Sequence, residues 1–290
     1  MTDVSRTPGD IYFRVLGPVE ALIDGEEVEF QSPRQRAVLA VLLLHSNNVV
    51  SVDQLIESIW DDAPPTARKQ VQACISMLRR AFARLGHNAL IETHVTGYSL
   101  KRAEDSLDFD TFRSLRYTAH TARMHHQRHD EAESAYLQAL QAWQGPALSG
   151  LTSRYLQARA TWLNEQRWCA YEEYIELLLV MGRHRELVGE LEMALVDNPT
   201  RERMCGYLML ALYRSGRRAD ALDVYRTSRK IFVDTLGIEP SPDLQHLHTA
   251  VLADGPGVAA TFAAIQPNAF DLSFEPIEGS RGTGHPQRRG

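Results

Sequence analysis

Apolar positions change their period along the chain, and that change divides it. Over residues 11–30 they come in short strand-like runs: Ile11-Tyr12-Phe13-Arg14-Val15-Leu16, then residues 19–23, then Val28-Glu29-Phe30. Gly17-Pro18 breaks the first two runs and Asp24-Gly25 stands before the third. Alternating runs joined by Asp-Gly predict a small antiparallel sheet with a hairpin. From residue 32 the spacing becomes helical. Ser32-Pro33-Arg34-Gln35 reads as a capping box with a first-turn proline, opening a helix through Val38, Leu39, Leu42 and Leu43. Ser51-Val52-Asp53-Gln54 repeats the box, with Val50 placed to staple against Leu55, and its short helix ends at Trp60. The run Asp61-Asp62-Ala63-Pro64-Pro65 cannot continue a helix, and Thr66 is the expected N-cap of a third one over about 67–85.

The third helix carries the chemistry. Val71, Ile75, Leu78 and Phe82 recur at spacings of four, three and four, which turns one stripe to a core. The opposite face holds Lys69, Gln72, Ala73, Ser76 and Arg80, with Arg79 on its flank. It is basic at both ends, small in the middle, and no acid occurs between Thr66 and Ile91. A helix in a major groove needs short residues nearest the base edges, and Arg, Lys or Gln where a guanine, an adenine or a phosphate is in reach. Two further strand-like runs, Ala89-Leu90-Ile91-Glu92-Thr93 and Tyr98-Ser99-Leu100-Lys101, meet across His94-Val95-Thr96-Gly97. A basic-ended hairpin after a helix-turn-helix is the pattern of a wing, which lies along the adjacent backbone or minor groove.

Beyond a short linker at 103–107, about 145 residues read as helix. Gly182 and Gly216 stand 34 residues apart, the period of the tetratricopeptide repeat. Counted from them, small, aromatic and proline positions fall on Ala194, Pro199, Ala221 and Tyr225; Ala132, Tyr136 and Ala139 fit the same frame earlier. Such paired helices stack into a superhelix with a surface suited to partners. Residues 236–242 connect to a last helix over about 242–253. The expected architecture is therefore mainly α with a small β component. A winged helix-turn-helix domain over 11–102 is followed by an all-α, tetratricopeptide-like domain over 108–253, with disordered ends at 1–10 and 254–290.

Charge sharpens the picture. The formal net of −6 argues against nucleic acid, but residues 1–65 hold 4 Lys/Arg against 11 Asp/Glu, a net of −7, whereas residues 66–102 hold 7 against Glu92 alone, a net of +6. A phosphate backbone responds to the local field, so the basic block is the footprint. Ordinary proportions of apolar (44%) and charged (23%) residues, and no apolar run near the roughly 20 residues that span a bilayer, predict a cytoplasmic, nucleoid-associated protein without membrane contact. Cys74, Cys169 and Cys205 are scattered and read as reduced thiols. His120, His125, His126 and His129 raise a metal site as a rival. His125 and His129 share a helix face, but no HExxH surrounds them, and solvated histidine is the expected reading. With no GxSxG and no Gly-rich phosphate loop, neither enzyme activity, cofactor nor metal is expected.

These motifs resemble the SARP family of antibiotic-pathway activators. The resemblance rests on residues 32–44, Ser51-Val52-Asp53-Gln54-Leu55-Ile56, Ile59-Trp60, Ile75-Ser76-Met77-Leu78-Arg79-Arg80, residues 208–217, Ala221-Leu222, Tyr225 and Leu236-Gly237-Ile238-Glu239-Pro240. It covers about 11–253. It implies an OmpR-type winged helix-turn-helix followed by a bacterial transcriptional activation domain. It further implies binding to direct heptameric repeats near a promoter's −35 region by two copies side by side, and recruitment of RNA polymerase to a secondary-metabolite gene cluster. By the same resemblance Lys69, Arg79 and Thr96 stand where such domains contact DNA, Trp60 where a backbone contact is common, and Arg34 and Arg36 join the candidate DNA contacts. Met77 departs from the pattern, since relatives often carry Arg there, and Arg80 is the candidate replacement. Asp61 and Asp62 stand where the loop of OmpR-type relatives meets a polymerase subunit. The large relatives append an ATPase module; this chain has no GxxxxGK[ST]. The alternative is a helical-repeat scaffold whose winged helix binds protein rather than DNA.

Overall fold

The computed structural model describes residues 10–125, 128–254 and 258. The disorder expected at 1–10 and 254–290 falls, but for Asp10, Asp254 and Val258, outside the described residues, as does His126. The chain opens with an antiparallel sheet in the order β1 (Ile11–Arg14), β2 (Glu20–Ile23), β3 (Glu26–Glu27). Ile11 lies opposite Ile23 and Arg14 opposite Glu20. Asp24 and Gly25 both take positive φ, 52° and 85°, as a two-residue hairpin turn of the primed type requires. The third run extends the ladder by only one bond, from the Val28 N–H to the Ala21 carbonyl. Phe30 then turns inward, where it and Phe13 meet Phe82 edge-on at 6.3 and 6.2 Å.

Helices α1 (Pro33–Leu44), α2 (Val52–Ile59) and α3 (Ala67–Ala83) follow, with β4 (Val50–Ser51), β5 (Ile91–Thr93) and β6 (Gly97–Leu100) pairing in the order β4-β6-β5. Ser51 and Gln54 form the full capping box at α2. At α1 only half of the expected box exists. Ser32 Oγ accepts from the Gln35 N–H, but Gln35 Oε1 accepts from the Gln31 N–H, one residue before the cap, because the chain there folds back over the helix start. Thr66 sits at the N-cap of α3 without a side-chain cap; its φ of −90° and ψ of 1° depart from the extended cap geometry, and its Oγ1 accepts from Gln70 Nε2 instead. The stripe Val71, Ile75, Leu78 and Phe82 is buried as expected.

The rest is helical: α4 (Asp108–Arg123), α5 (His129–Gln141), α6 (Arg154–Val180), α7 (His184–Asp197), α8 (Glu202–Arg214), α9 (Arg218–Leu236) and α10 (Pro242–Ala253). Antiparallel neighbours pack in pairs, α4 on α5, α7 on α8 and α8 on α9. Gly182 and Gly216, at φ of 80° and 79°, turn the chain between α6 and α7 and between α8 and α9, so the 34-residue period marks equivalent turns. Ala132, Tyr136, Ala139 and Ala221 are fully buried and Tyr225 nearly so, each small residue letting a neighbouring helix approach. Inside this domain one turn of α6 buries three carboxylates. Glu173 takes a bidentate fork from Arg116 at 2.7 and 3.1 Å, Glu176 accepts from Arg123 and Tyr207, and Glu172 accepts from Arg203. Burial pushes the Glu172 carboxyl up to about 7 even beside Arg203.

Residues 103–107, expected as a linker, are part of the packing between the two segments. The Phe13 N–H donates to the Ser106 carbonyl at 2.7 Å, and Leu107, buried, bridges to Phe13. The Asp108 carboxylate accepts from the Val15 and Leu16 N–H groups at 2.9–3.0 Å, and burial raises its pKa to about 7 against those bonds. Gln144 and Leu148 N–H groups close on the carbonyls of Leu16 and Val15. One apolar core consequently runs from Phe13 through α1 and α3 into α4 and the first half of α6. Backbone groups of Phe13, Val15 and Leu16 are thus satisfied by the connecting stretch and the helical segment.

Candidate nucleic-acid interface

At about 100° per residue, Lys69, Ala73, Ser76 and Arg80 lie within roughly 40° of one line along α3, opposite the buried stripe. All four are exposed, as is Gln72 beside them. Lys69, Gln72, Ser76 and Arg80 make no side-chain hydrogen bond or ion pair among the described residues, so their donors face solvent. Arg68, one residue earlier, is held by Asp53 at 2.6 Å. Arg84, exposed at the C-cap of α3, extends the basic line by a turn; its place in the sequence pattern lay past the stripe's last apolar residue, which is why the face alone did not include it.

The flanking residues are less free than the sequence suggests. Arg79 is half-buried: Nε and Nη2 donate to the Ile91 carbonyl, Nη2 donates to Thr93 Oγ1, and the guanidinium lies 5.9 Å from the Tyr98 ring centre. It braces α3 against the wing. Thr96 stands exposed at the wing tip beside Val95, whose side chain is fully in solvent. Gly97 makes the wing possible, because a Cβ there would stand 1.9 Å from the Val50 carbonyl oxygen. Met77 turns inward and its Sδ accepts from Gln35 Nε2 at 3.0 Å, so the position where an arginine was expected faces α1.

On the other flank Arg34 donates to Gln70 Oε1 and stacks 5.1 Å over Trp60, while Arg36 is half-buried on α1. Of the two acids between α2 and α3, Asp62 is exposed, but Asp61 is engaged: its Oδ1 accepts from the Arg154 N–H at 2.9 Å, capping the first turn of α6. Ser153 adds a second tie, donating to the Ser58 carbonyl at 2.6 Å. No sequence signal links residues 95 positions apart; only the packing of α6 on α2 brings them together. Among the described residues no three His, Cys, Asp or Glu side chains gather as metal ligands, and no helix is long and apolar enough to cross a membrane.

Comparison with known proteins follows the same division. Residues 25–100 match the model of the transcriptional regulatory protein C-terminal family, and residues 107–252 match the bacterial transcriptional activator domain. The chain is 36% identical over 263 residues to the regulatory protein AfsR of Streptomyces coelicolor, covering 90% of this chain and 26% of that protein. It is 33% identical over 251 residues to the transcriptional regulatory protein EmbR of Mycobacterium tuberculosis (84% of this chain, 64% of EmbR). Identity is also 33% over 256 residues to the regulatory protein DnrI of Streptomyces peucetius (84% of this chain, 93% of DnrI). The solved structure of Mycobacterium tuberculosis EmbR in complex with a low affinity phosphopeptide superposes with a TM-score of 0.79 at 30% identity, covering 88% of this chain and 69% of that one. The chain thus spans about a quarter of AfsR, two thirds of EmbR and nearly all of DnrI.

Proposed function

The chain belongs to the SARP family of transcriptional regulators, and from that premise we propose that α3 reads promoter DNA in the major groove while the helical domain holds RNA polymerase at the site. The observation that carries this reading is the free face of α3: Lys69, Gln72, Ser76 and Arg80 are exposed, uncommitted and opposite the core stripe. Arg80 and Lys69 supply forks and charge at the ends, and the short Ala73 and Ser76 let the helix seat deeply. Thr96 reaches the neighbouring backbone from the wing, and Trp60 and Arg34 meet it from the other side. Two copies on direct repeats near the −35 region, activating a secondary-metabolite cluster, complete the proposal.

Polymerase contact by the loop between α2 and α3 falls to Asp62, since Asp61 is taken up by α6. The decisive experiment measures binding of the full chain to the intergenic DNA of its native gene cluster across salt concentrations. Affinity falls with a log–log slope near −0.9 for each phosphate neutralised, and Arg80→Ala flattens the slope by about one unit. Salt-independent binding, or an Arg80→Ala variant indistinguishable from wild type, favours the scaffold alternative. Unchanged activation in vitro by Asp62→Ala would remove the loop from polymerase recruitment.

A further inference from the structure

The side of α3 away from the wing opens on a cleft of about 660 Å³ whose walls come from both domains. Gln70, Ala73 and Met77 form the α3 wall, Arg34 and Trp60 stand across it, and residues 150–153, the loop leading into α6, close the third side. A B-form major groove is about 12 Å wide and a helix with its side chains about 10–12 Å across, so a helix seated there has a phosphate strand against each flank. With Lys69 as the origin, Gln72 and Arg79 lie roughly 60–80° to one side of the reading face, and Gln70 and Met77 roughly 80–100° to the other. The first flank is the wing's. The second strand of phosphates therefore runs over the cleft.

Two cations from different domains stand at this flank: Arg34 lines the cleft, and Arg154 directly follows Ser153 of its wall. Arg34 meets Gln70 and Trp60 but no carboxylate among the described residues. Arg154 opens α6 with its side chain 92% exposed; its Nε stands 3.9 Å from Asp61, too far for a hydrogen bond. Asp61, the carboxylate beside Arg154, is already bound by the Arg154 N–H. Thr152, exposed on the cleft, offers a hydroxyl beside them.

We infer that the helical domain forms part of the DNA seat: Arg154, with Thr152 beside it, contacts backbone phosphates on the flank of α3 opposite the wing. This rests on α3 being the groove helix. The inference makes the tie between Ser153 and Ser58 a determinant of affinity, because it fixes the start of α6 relative to α3.

The test uses the full chain and the promoter duplex, with binding followed by fluorescence anisotropy from low to high salt. Arg154→Ala flattens the log–log slope by about one unit and weakens binding about fivefold at 0.15 M salt, equally on specific and unrelated sequences; Arg154→Lys keeps the slope. The backbone bond to Asp61 survives either change, so the fold is retained. Because loss of Arg154 also bares Asp61, the variant Arg154→Ala/Asp61→Asn separates the two effects. A slope that stays flattened supports a phosphate contact, whereas a return to the wild-type slope shows that Arg154 only screens Asp61 and overturns the inference. A wild-type slope in Arg154→Ala overturns it as well, while Arg80→Ala, still flattening, leaves the groove helix standing. If the wild-type chain itself binds without salt dependence, both fall together.

Discussion

Arg79 and Ile91 are joined by a two-pronged hydrogen bond, Nε at 3.1 Å and Nη2 at 2.9 Å from one carbonyl oxygen, with Thr93 Oγ1 a further 2.7 Å from Nη2. The residue expected to touch DNA is thus the bolt between α3 and the wing. Arg79→Ala should cost about 1.5–3 kcal/mol, the range for hydrogen bonds to charged groups, and loosen the wing. Arg79→Lys should not repair it, since an ammonium keeps the charge but not the planar fork. Urea denaturation of the full chain measures both; equal stability for Lys and Arg would return Arg79 to a pure charge role.

Gly97 and Val50 give the sharpest steric case. A Cβ at residue 97 would stand 1.9 Å from the Val50 oxygen and 2.7 Å from backbone atoms of residues 50 and 51, none of which ends a flexible side chain. Gly97→Ala must therefore part β4 from β6, where Val50 pairs with Tyr98 and Ser51 with Gly97. The expected outcome is loss of DNA binding together with a lower thermal midpoint, whereas Gly25→Ala, in a turn with open space around it, costs only the strain of its positive φ. Equal melting of the two variants would refute the packing account.

Arg116 and Glu173 form a pair whose side chains are 4% and 7% exposed. Removing one partner of a buried pair strands the other's charge, so Arg116→Met should lower stability by about 3–5 kcal/mol. Replacing both, Arg116→Met/Glu173→Leu, should recover most of that loss, because the desolvation cost of the ions disappears with them. A double variant no better than the single would place the main contribution elsewhere, in the Arg116 bond to Gln166.

How much of this was legible follows from the range of the interactions. The α2 capping box, the α3 stripe, the Asp24-Gly25 turn and the spacing of Gly182 and Gly216 are local, and each depends on residues within a few positions or a fixed period. The burial of Glu172, Glu173 and Glu176 leaves no local trace, because a charge on a helix shows no sign of the arginines that meet it from α4 and α8. The free face of α3 was readable for the same local reason, yet the fate of its flanks was not. Arg79 depends on a strand 12 residues on, and Asp61 on a helix start 93 residues away.

His45 ties the end of α1 to α6, and its protonation should loosen that tie. Its Nε2 lies 2.8 Å from the Tyr155 hydroxyl, which accepts from Arg159 Nε at 3.3 Å, leaving the hydroxyl proton for the imidazole. Burial, and then the charge of Arg159, hold the His45 pKa below the ordinary value of 6.5. The sign follows from proton counts. Below about pH 6.5 the unfolded chain takes up a proton at this residue that the native state resists, so the contribution of neutral His45 is present above that pH and is lost as pH falls toward the native pKa. Asp108 and Glu172, both raised to about 7, act in the opposite sense over pH 4–7, since there the native state binds more protons than the unfolded one. The global pH profile mixes these contributions, so the comparison must be between wild type and His45→Gln, which keeps a polar partner for Tyr155 but cannot titrate. The stability advantage of wild type over this variant should shrink as pH is lowered from 7 to 5, measured by urea denaturation at each pH. A gap that stays constant across that range would mean that His45 does not titrate differently in the folded protein.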